Sequence, residues 1–382
     1  MQHIYLDHAA TTPLDPRVRE AMEPYLGPVF GNASSVHWHG RQAKAALEEA
    51  RATVARAIGA HPSEIFFTSG GTEADNLALL GAVAAQGGRV ITAASEHHAV
   101  LDACRHLHSR GADVAVLPVN AAGAVDPGDV DQELRKGPAV VSVMHANNEV
   151  GTIQPVREIA HLATRYGAVM HTDAVQSAGK IPVMVDDLGV HLLSLSAHKV
   201  YGPKGIGVLY IRRGTELHPL VHGGGQERGK RPGTENVAMA VGCAEALRLV
   251  VAEREERMGR LTLLRDGLEQ ALTSAFPAVL VNGSRTERLP HLLSVSFDAS
   301  RAPMEGEMLV TNLDLEGISV SSGSACTSGS VQPSHVLLAM GRDEASAKAT
   351  VRFSFGTANT AEDVDTVLAV MTRVIARMVR PR

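Results

Sequence analysis

Two kinds of segment alternate along the chain from about residue 40 to residue 211. Apolar residues at helical spacing predict helices at 41–58, 72–85, 98–109 and 156–166. Short apolar runs predict strands at 64–67, 89–92, 114–117, 139–144, 168–172, 192–196 and 207–211. Apolar strands separated by helices are typical of a parallel sheet covered on both faces. The pattern therefore predicts an α/β fold with a mainly parallel, seven-stranded sheet.

The pattern changes after a long helical stretch predicted at 237–276. Strands are predicted at 291–297 and 351–355, and helices at 306–313, 333–340 and 361–377. This mixture is typical of a smaller α+β unit. Because 382 residues exceed the usual size of a single core, we expect two domains.

Composition and charge restrict the possible partners. The net charge of −5 comes from 36 basic and 41 acidic residues, and no basic run indicates a nucleic-acid or membrane surface. Three widely spaced cysteines form neither a disulfide framework nor a CxxC zinc pair, which favours a reducing compartment. The sequence shows neither a signal segment nor an apolar span of membrane length, so the expectation is a cytoplasmic protein.

The first candidate site lies at 68–74, where two glycines precede a predicted helix. Backbone N–H groups at such a helix start can bind a phosphate at the positive end of the helix dipole. The alternative is that Thr68 or Ser69 only caps the helix. Both interpretations remain open from the sequence.

Two charged residues follow later strands. Asp173 directly follows the strand 168–172 and needs a cationic partner in apolar surroundings, unless it only caps a turn. Lys199 follows the strand 192–196 among small residues, which favours the neutral amine needed for a covalent bond to an aldehyde; Lys204 is the alternative lysine. A phosphate loop, Asp and Lys in this order fit pyridoxal phosphate, with Asp on the pyridine nitrogen and Lys on the aldehyde.

Cys326 lies among small polar residues at 321–330, which is typical of an exposed loop and makes it the candidate nucleophile. Cys104 and Cys243 lie in helical patterns and are expected to be ordinary buried thiols. His97, after the strand 89–92, is a candidate ring-stacking residue or general acid, although any one of the 18 histidines can be structural.

These segments together resemble the cysteine desulfurases, which are fold-type I pyridoxal-phosphate enzymes of the class V aminotransferase group. The resemblance covers almost the whole chain. It runs through 5–12, 68–76, 96–97, 145–151, 173–176, 196–207, 222–228, 231–234, 321–328 and 351–354. The family fold that it implies has a large domain at 14–257 and a small α+β domain, formed by 1–13 and 258–382, that carries the cysteine loop.

The resemblance also implies a role for each matching residue. Lys199 would hold pyridoxal phosphate and His97 would stack on its ring, while Asp173 and Gln176 would contact the ring nitrogen and phenolic oxygen. Phosphate would be bound by a set of small and polar residues: Gly71, Thr72, Ser196 and His198, with Thr234 reaching the site of a second subunit in a homodimer. Asn148, also implied at the cofactor, and Arg352 would hold the carboxylate of L-cysteine.

The implied activity is the removal of sulfur from L-cysteine to give L-alanine and a persulfide on Cys326. The sulfur would pass to an iron–sulfur scaffold protein or another acceptor, for cluster assembly or tRNA thiolation. No resident metal is implied; Cys326 alone is a candidate for a transient cluster ligand. A selenocysteine lyase or other β-lyase of the same fold is the first alternative, and a catalytically inactive docking or scaffold protein is the second.

Overall fold

The computed structural model describes residues 3–302, 306–322 and 332–378. Its strands are β1 Ile4–Tyr5, β2 Ile65–Thr68, β3 Arg89–Ala93, β4 Asp113–Leu117, β5 Val140–Ser142, β6 Val169–Asp173, β7 Leu192–Ser196, β8 Gly207–Ile211, β9 Val279–Val281, β10 Leu292–Phe297, β11 Ile318–Ser319 and β12 Thr350–Ser354. Its helices are α1 Pro16–Leu26, α2 Trp38–Ile58, α3 Gly71–Gln86, α4 His98–Ser109, α5 Pro127–Leu134, α6 Val156–Arg165, α7 Val185–Leu188, α8 Val237–Ala252, α9 Arg254–Ala275, α10 Glu307–Leu315, α11 His335–Ala339, α12 Glu344–Lys348 and α13 Ala361–Met378.

The seven predicted strands of the first part form one sheet in the order β2-β8-β7-β6-β5-β3-β4. Five neighbouring strands, β7 to β4 in this order, are parallel, and β8 runs antiparallel to both β7 and β2. The predicted α/β architecture with a mainly parallel sheet is therefore confirmed. The carboxyl ends of the parallel strands meet at one edge, where ligand sites form in such sheets.

Successive residues of each strand point to opposite faces of this sheet. Val169 of β6 and Leu192 of β7 pack with α3 and α4, whereas Met170 and Leu193 pack into the larger cluster with α1, α2, α6 and α8. Both faces are therefore covered by helices, which explains why apolar side chains point to both sides of these strands.

A second core lies beside a three-stranded antiparallel sheet of order β12-β10-β9. It combines residues from the end of the chain with Ile4 and Leu6 from its start, together with side chains of α9, α10 and α13. Strand β1 pairs with β11, so the first residues of the chain belong to the packing of the last part.

The prediction of a single helix at 237–276 is wrong in one respect, because two helices meet at Glu253. Its φ of −101° and ψ of 7° depart from helical values. Arg17 of α1 donates to the Glu253 carboxylate at 2.6 Å, and Arg257 pairs with the same group. This tertiary contact lies at the break, and the apolar spacing gave no sign of it.

None of the described helices is long and apolar enough to cross a membrane.

Candidate functional site

A cavity of about 930 Å³ opens at the carboxyl edge of the sheet, a volume typical of small-ligand sites. Most of the residues implied by the sequence line it: Gly71, Thr72, His97, Asn148, Asp173, Gln176, Ser196, His198, Lys199 and Arg352. Thr234 is exposed and does not line this cavity. Cys326 lies outside the described residues. The exposed Lys204, the alternative lysine, is also absent from the lining.

The amino end of α3 forms one wall of the cavity. Gly70 is the N-cap, so no N-cap side chain accepts from the first-turn N–H groups, and the Thr68 hydroxyl donates to the Gly70 carbonyl at 3.0 Å. The alternative that Thr68 or Ser69 caps the helix is therefore wrong. A Cβ at Gly71 would lie 2.9 Å from Val175 Cγ2, so a side chain there would crowd the wall. First-turn N–H groups without a side-chain cap can bind an anion.

Lys199 lines the same cavity as the start of α3 and follows the end of β7 by three residues. Its Nζ donates to the carbonyls of Ala9 and Ala10 at 2.6 and 2.7 Å. Burial lowers the pKa of Lys199 to about 8, and the positive charge of Arg352 adds to this shift. A lysine with such a pKa has a substantial neutral fraction near neutral pH and can react as a nucleophile.

Asp173 is a buried carboxyl at the end of β6. One oxygen accepts a hydrogen bond from the Val175 N–H at 2.8 Å. Burial raises the pKa of Asp173, and positive charge on His97 or Lys199 acts in the opposite direction. A cation bound in the cavity would therefore stabilise the ionised form of this carboxyl.

His97 is the N-cap of α4, and its Nδ1 accepts from the Ala99 N–H at 3.1 Å. The ring is open to the cavity, although the protein around it lowers its pKa by desolvation. His198 lies next to Lys199, with its Nδ1 3.2 Å from the Thr11 hydroxyl. Burial and the nearby lysines lower the pKa of His198 to about 4, so this ring is neutral near pH 7.

Gln176 and Ser196 are buried polar residues of the cavity wall. The Gln176 amide donates to the Ala9 carbonyl at 2.9 Å, while its oxygen has no hydrogen-bond partner within the described residues. Such buried polar atoms require a partner, so the Gln176 oxygen leaves a place for a bound ligand.

Arg352 of β12 brings the second core to the cavity. Its guanidinium donates to Asp7 Oδ1 at 2.7 Å and to the Asn148 carbonyl at 2.8 Å. The side chain is buried, and its Nε has no partner within the described residues. Asn148 thus contacts Arg352 through its backbone carbonyl. The Arg352 guanidinium gives this wall of the cavity a positive charge that suits a carboxylate.

Four buried ionisable residues near the cavity were missed from the sequence: Asp75, Glu96, Glu149 and Lys180. The Ser334 hydroxyl donates to Glu149, and burial raises the pKa of that carboxyl to about 7. Lys180 donates to the Lys199 carbonyl at 2.7 Å. Only Asp75 had a sequence signal, because helical spacing aligns it with the apolar residues Ala78 and Leu79.

The two cysteines of helices α4 and α8 are buried and free. Burial raises the pKa of Cys104 and of Cys243 to about 12, so both thiols are protonated at neutral pH. The expectation that they are ordinary buried residues is confirmed.

Comparisons with known proteins by sequence and by structure indicate the same family. The aminotransferase class-V model matches residues 4–367. A cysteine desulfurase IscS from Dictyoglomus turgidum is 49% identical over 99% of this chain and 95% of its own, and another from Methanosarcina thermophila is 45% identical over 98% and 92%.

Two solved structures are similar across most of the chain. A NifS-like protein superposes with a TM-score of 0.91 at 37% identity, covering 99% of this chain and 100% of its own. The structure described as SspA in complex with cysteine has a TM-score of 0.80 at 36% identity, over 92% of this chain and 98% of its own. By sequence and by fold, this chain belongs to the aminotransferase class-V family, together with relatives that are cysteine desulfurases.

Proposed function

We propose that this chain is a cysteine desulfurase that uses pyridoxal phosphate to remove sulfur from L-cysteine, giving L-alanine and a persulfide on Cys326. One observation carries the proposal: a partly neutral lysine amine, a buried carboxyl and an uncapped helix start line the same cavity. The full-length similarity to cysteine desulfurases supports it independently.

The cavity residues fit this cofactor. The start of α3, with Gly71 and Thr72, would bind the phosphate together with Ser196 and the neutral ring of His198. Gln176, whose oxygen has no partner among the described residues, would face the polar edge of the ring, and His97 would stack on its surface. When bound, pyridoxal phosphate supplies an electron sink for the carbon skeleton of an amino acid.

Two residues would control protons at the reacting atoms. Lys199 would hold the cofactor through its amine and, when released, move a proton at the substrate Cα, a role that its pKa of about 8 suits. Asp173 would keep the proton on the ring nitrogen, because a buried carboxylate is stabilised by a cation in direct contact.

The carboxylate of L-cysteine would bind at the wall formed by Arg352 and Asn148. The Arg352 guanidinium is held by Asp7 and by the Asn148 carbonyl, which orients it before substrate arrives. A preoriented guanidinium loses little conformational entropy on binding and can contact a carboxylate through two N–H groups.

The sulfur transfer is balanced without a further redox partner. The Cβ–S bond of L-cysteine breaks, and a sulfur–sulfur bond to Cys326 forms. The Cβ gains a hydrogen and is reduced by two electrons, while the two sulfur atoms together lose two electrons as they form the persulfide. A thiolate at Cys326 is the required nucleophile.

Replacement of Cys326 by alanine is expected to abolish alanine formation from L-cysteine while leaving the visible absorption of the bound cofactor intact. Both are measured on purified protein, by amino-acid quantification and by absorbance. Cys104→Ala and Cys243→Ala are the matched controls, since their buried thiols are protonated and should not take part.

Alanine formation that persists in Cys326→Ala would contradict the desulfurase mechanism. Selenide release from selenocysteine by the same variant would favour the selenocysteine lyase alternative. A protein that binds no pyridoxal phosphate would favour the inactive scaffold alternative.

Replacement of Arg352 by lysine is expected to raise the KM for L-cysteine by roughly 10- to 100-fold, as for a lost charged hydrogen bond, with a smaller effect on kcat. Lysine keeps the charge beside Asp7 but loses the two-point contact. The measurement is steady-state alanine formation. Arg105→Lys is the control, because Arg105 lines the same cavity but is exposed and paired with Asp102. An equal rise of KM in Arg352→Lys and Arg105→Lys would contradict the assignment of Arg352 as the residue that binds the carboxylate.

We also propose a homodimer in which Thr234 reaches the phosphate site of the second subunit. Arg231, three residues before Thr234, donates to Glu73 of α3 at 2.8 Å, which ties this segment to the phosphate wall. Exposed apolar side chains at Phe30, Val36 and Trp38 support a contact surface; they are 73%, 89% and 59% exposed.

The domain boundaries remain part of the proposal, with 14–257 as the large domain and 1–13 and 258–382 as the small one. The separate apolar clusters support this division. We place the reaction in the cytoplasm, which the two free buried thiols favour. Cluster assembly or tRNA thiolation would use the sulfur, through an iron–sulfur scaffold protein or another acceptor.

A further inference from the structure

A band of polar side chains crosses the α3-facing side of the sheet directly behind Asp173. This side is apolar at Val140, Val169 and Leu192. Two residues further along the same strands it becomes polar: Ser142 lies opposite His171, and Ser194 lies opposite Asp173. The His171 ring contacts the Ser142 hydroxyl at 2.8 Å and the Ser194 hydroxyl at 3.0 Å.

Asp75 of α3 lies against this band. Its side chain is 1% exposed, and its Oδ1 has no hydrogen-bond partner within the described residues. His171 Nε2 is 3.6 Å away, beyond hydrogen-bond distance, and both nitrogens of that ring already contact serine hydroxyls. Burial lowers the pKa of His171 to about 3, so the ring supplies no positive charge. Among the described residues, Asp75 therefore has no cation to balance an ionised carboxylate.

The ionisable groups that face Asp75 are the neutral His171 and Asp173 from β6, and Glu96 from the connection between β3 and α4. Negative charge on Asp173 or Glu96 disfavours ionisation of Asp75, and together with burial it outweighs the hydrogen bond with Ser194, which favours ionisation. Glu96 is fully buried; one oxygen accepts from the Met144 N–H at 2.6 Å and the other has no partner within the described residues. Buried carboxylates close to each other cannot all ionise, so the cluster must hold protons.

We propose that Asp75 is a positioning residue that keeps a proton, so that the negative charge of the Asp75, Glu96 and Asp173 cluster is held on Asp173. Asp173 is the member on which positive charge in the cavity acts, since a protonated His97 or Lys199 favours its ionised form. A neutral Asp75 fills the space behind Asp173 without competing for the same cation. The effect of this charge on the ring nitrogen of pyridoxal phosphate rests on the proposed function. The location of the proton on Asp75 does not.

The proton on Asp75 has a defined effect on stability. Burial and the charge of Asp173 raise the pKa of Asp75 well above its usual value, so the folded protein binds a proton that the unfolded chain releases above about pH 4. The stability contributed by this group is greatest at low pH and falls as pH rises toward the raised pKa. One such proton changes the unfolding equilibrium by up to about tenfold per pH unit.

The test compares wild type with Asp75→Asn as full-length proteins saturated with pyridoxal phosphate, unfolded by denaturant at several pH values from about 5 to 8, above the usual aspartate range. Asparagine mimics the neutral acid, so the ratio of the wild-type to the variant unfolding constant is expected to rise with pH. Asp187→Asn, at an exposed position, is the matched control and should show no comparable rise. A ratio for Asp75→Asn that does not change with pH would overturn the proposal.

Two further measurements do not depend on activity. Infrared spectra of wild-type protein with ¹³C-labelled aspartate should contain an isotope-shifted carbonyl band of a protonated aspartic acid at neutral pH; its absence would overturn the proposal even if the variant failed to fold. The affinity of Asp75→Asn for pyridoxal phosphate should stay within about threefold of the wild-type affinity. Loss of a hydrogen bond to a charged group would reduce the affinity much more. A larger loss would show that Asp75 itself carries the charge. Failure of the desulfurase proposal would instead appear in the Cys326 experiment.

Discussion

Replacement of Lys199 by alanine is expected to abolish covalent attachment of pyridoxal phosphate and to lower alanine formation by about 10²- to 10⁴-fold, the range for loss of a positioned acid–base group. The physical reason is that Lys199 would provide both the nucleophilic amine and the proton carrier at the substrate Cα. Attachment is measured by borohydride reduction followed by mass spectrometry of peptides, and turnover by alanine quantification.

Lys204→Ala is the matched control for this experiment. Lys204 follows Lys199 by five residues, but it is exposed and does not line the cavity. Its replacement should leave both attachment and turnover close to wild type. Cofactor that stays attached in Lys199→Ala, or that is lost in Lys204→Ala, would contradict the assignment of the reactive lysine.

Replacement of Asp173 by asparagine is expected to lower kcat by roughly 10²- to 10³-fold, similar to removal of one preorganised electrostatic group from an active site. Asparagine preserves the size of the side chain but removes the charge that would keep the ring nitrogen protonated. The affinity for pyridoxal phosphate should also fall, because a contact between opposite charges in a buried site is lost. Kinetics and equilibrium binding measure the two effects separately.

Asp75→Asn provides an isosteric control for Asp173→Asn, since it makes the same chemical change in the same buried cluster. If the charge is held on Asp173, only Asp173→Asn should impair binding and turnover. Equal losses in the two variants would mean that the cluster shares its charge evenly, and a larger loss in Asp75→Asn would reverse the assignment.

Several features were predictable because they depend on local pattern. The apolar strands and helical spacings predicted the seven-stranded sheet, and strand ends predicted the location of Asp173 and Lys199 at one edge. The cysteines of α4 and α8 were also identified correctly as buried thiols. In each case, neighbours in sequence determine the environment to a large extent.

Other features were missed because their partners are distant in sequence. Lys180 shows no periodic pattern that predicts burial, and its partner is the carbonyl of Lys199. The break at Glu253 coincides with contacts to Arg17, 236 residues away. Glu149 is paired with Ser334, at a separation of 185 residues. No local spacing could predict these contacts.

The sequence by itself determined the fold class, the order of the cavity segments along the sheet and the residue types available for chemistry, because periodicity and strand ends are local properties. Only the tertiary structure decided how these groups are charged. The pKa of Lys199 depends on its burial and on Arg352 from β12. The proton assigned to Asp75 depends on its position beside Asp173 and Glu96, with no cation near it in the part of the chain that the structure describes. Protonation follows from desolvation and nearby charge, and both are set by chain segments that meet only after folding.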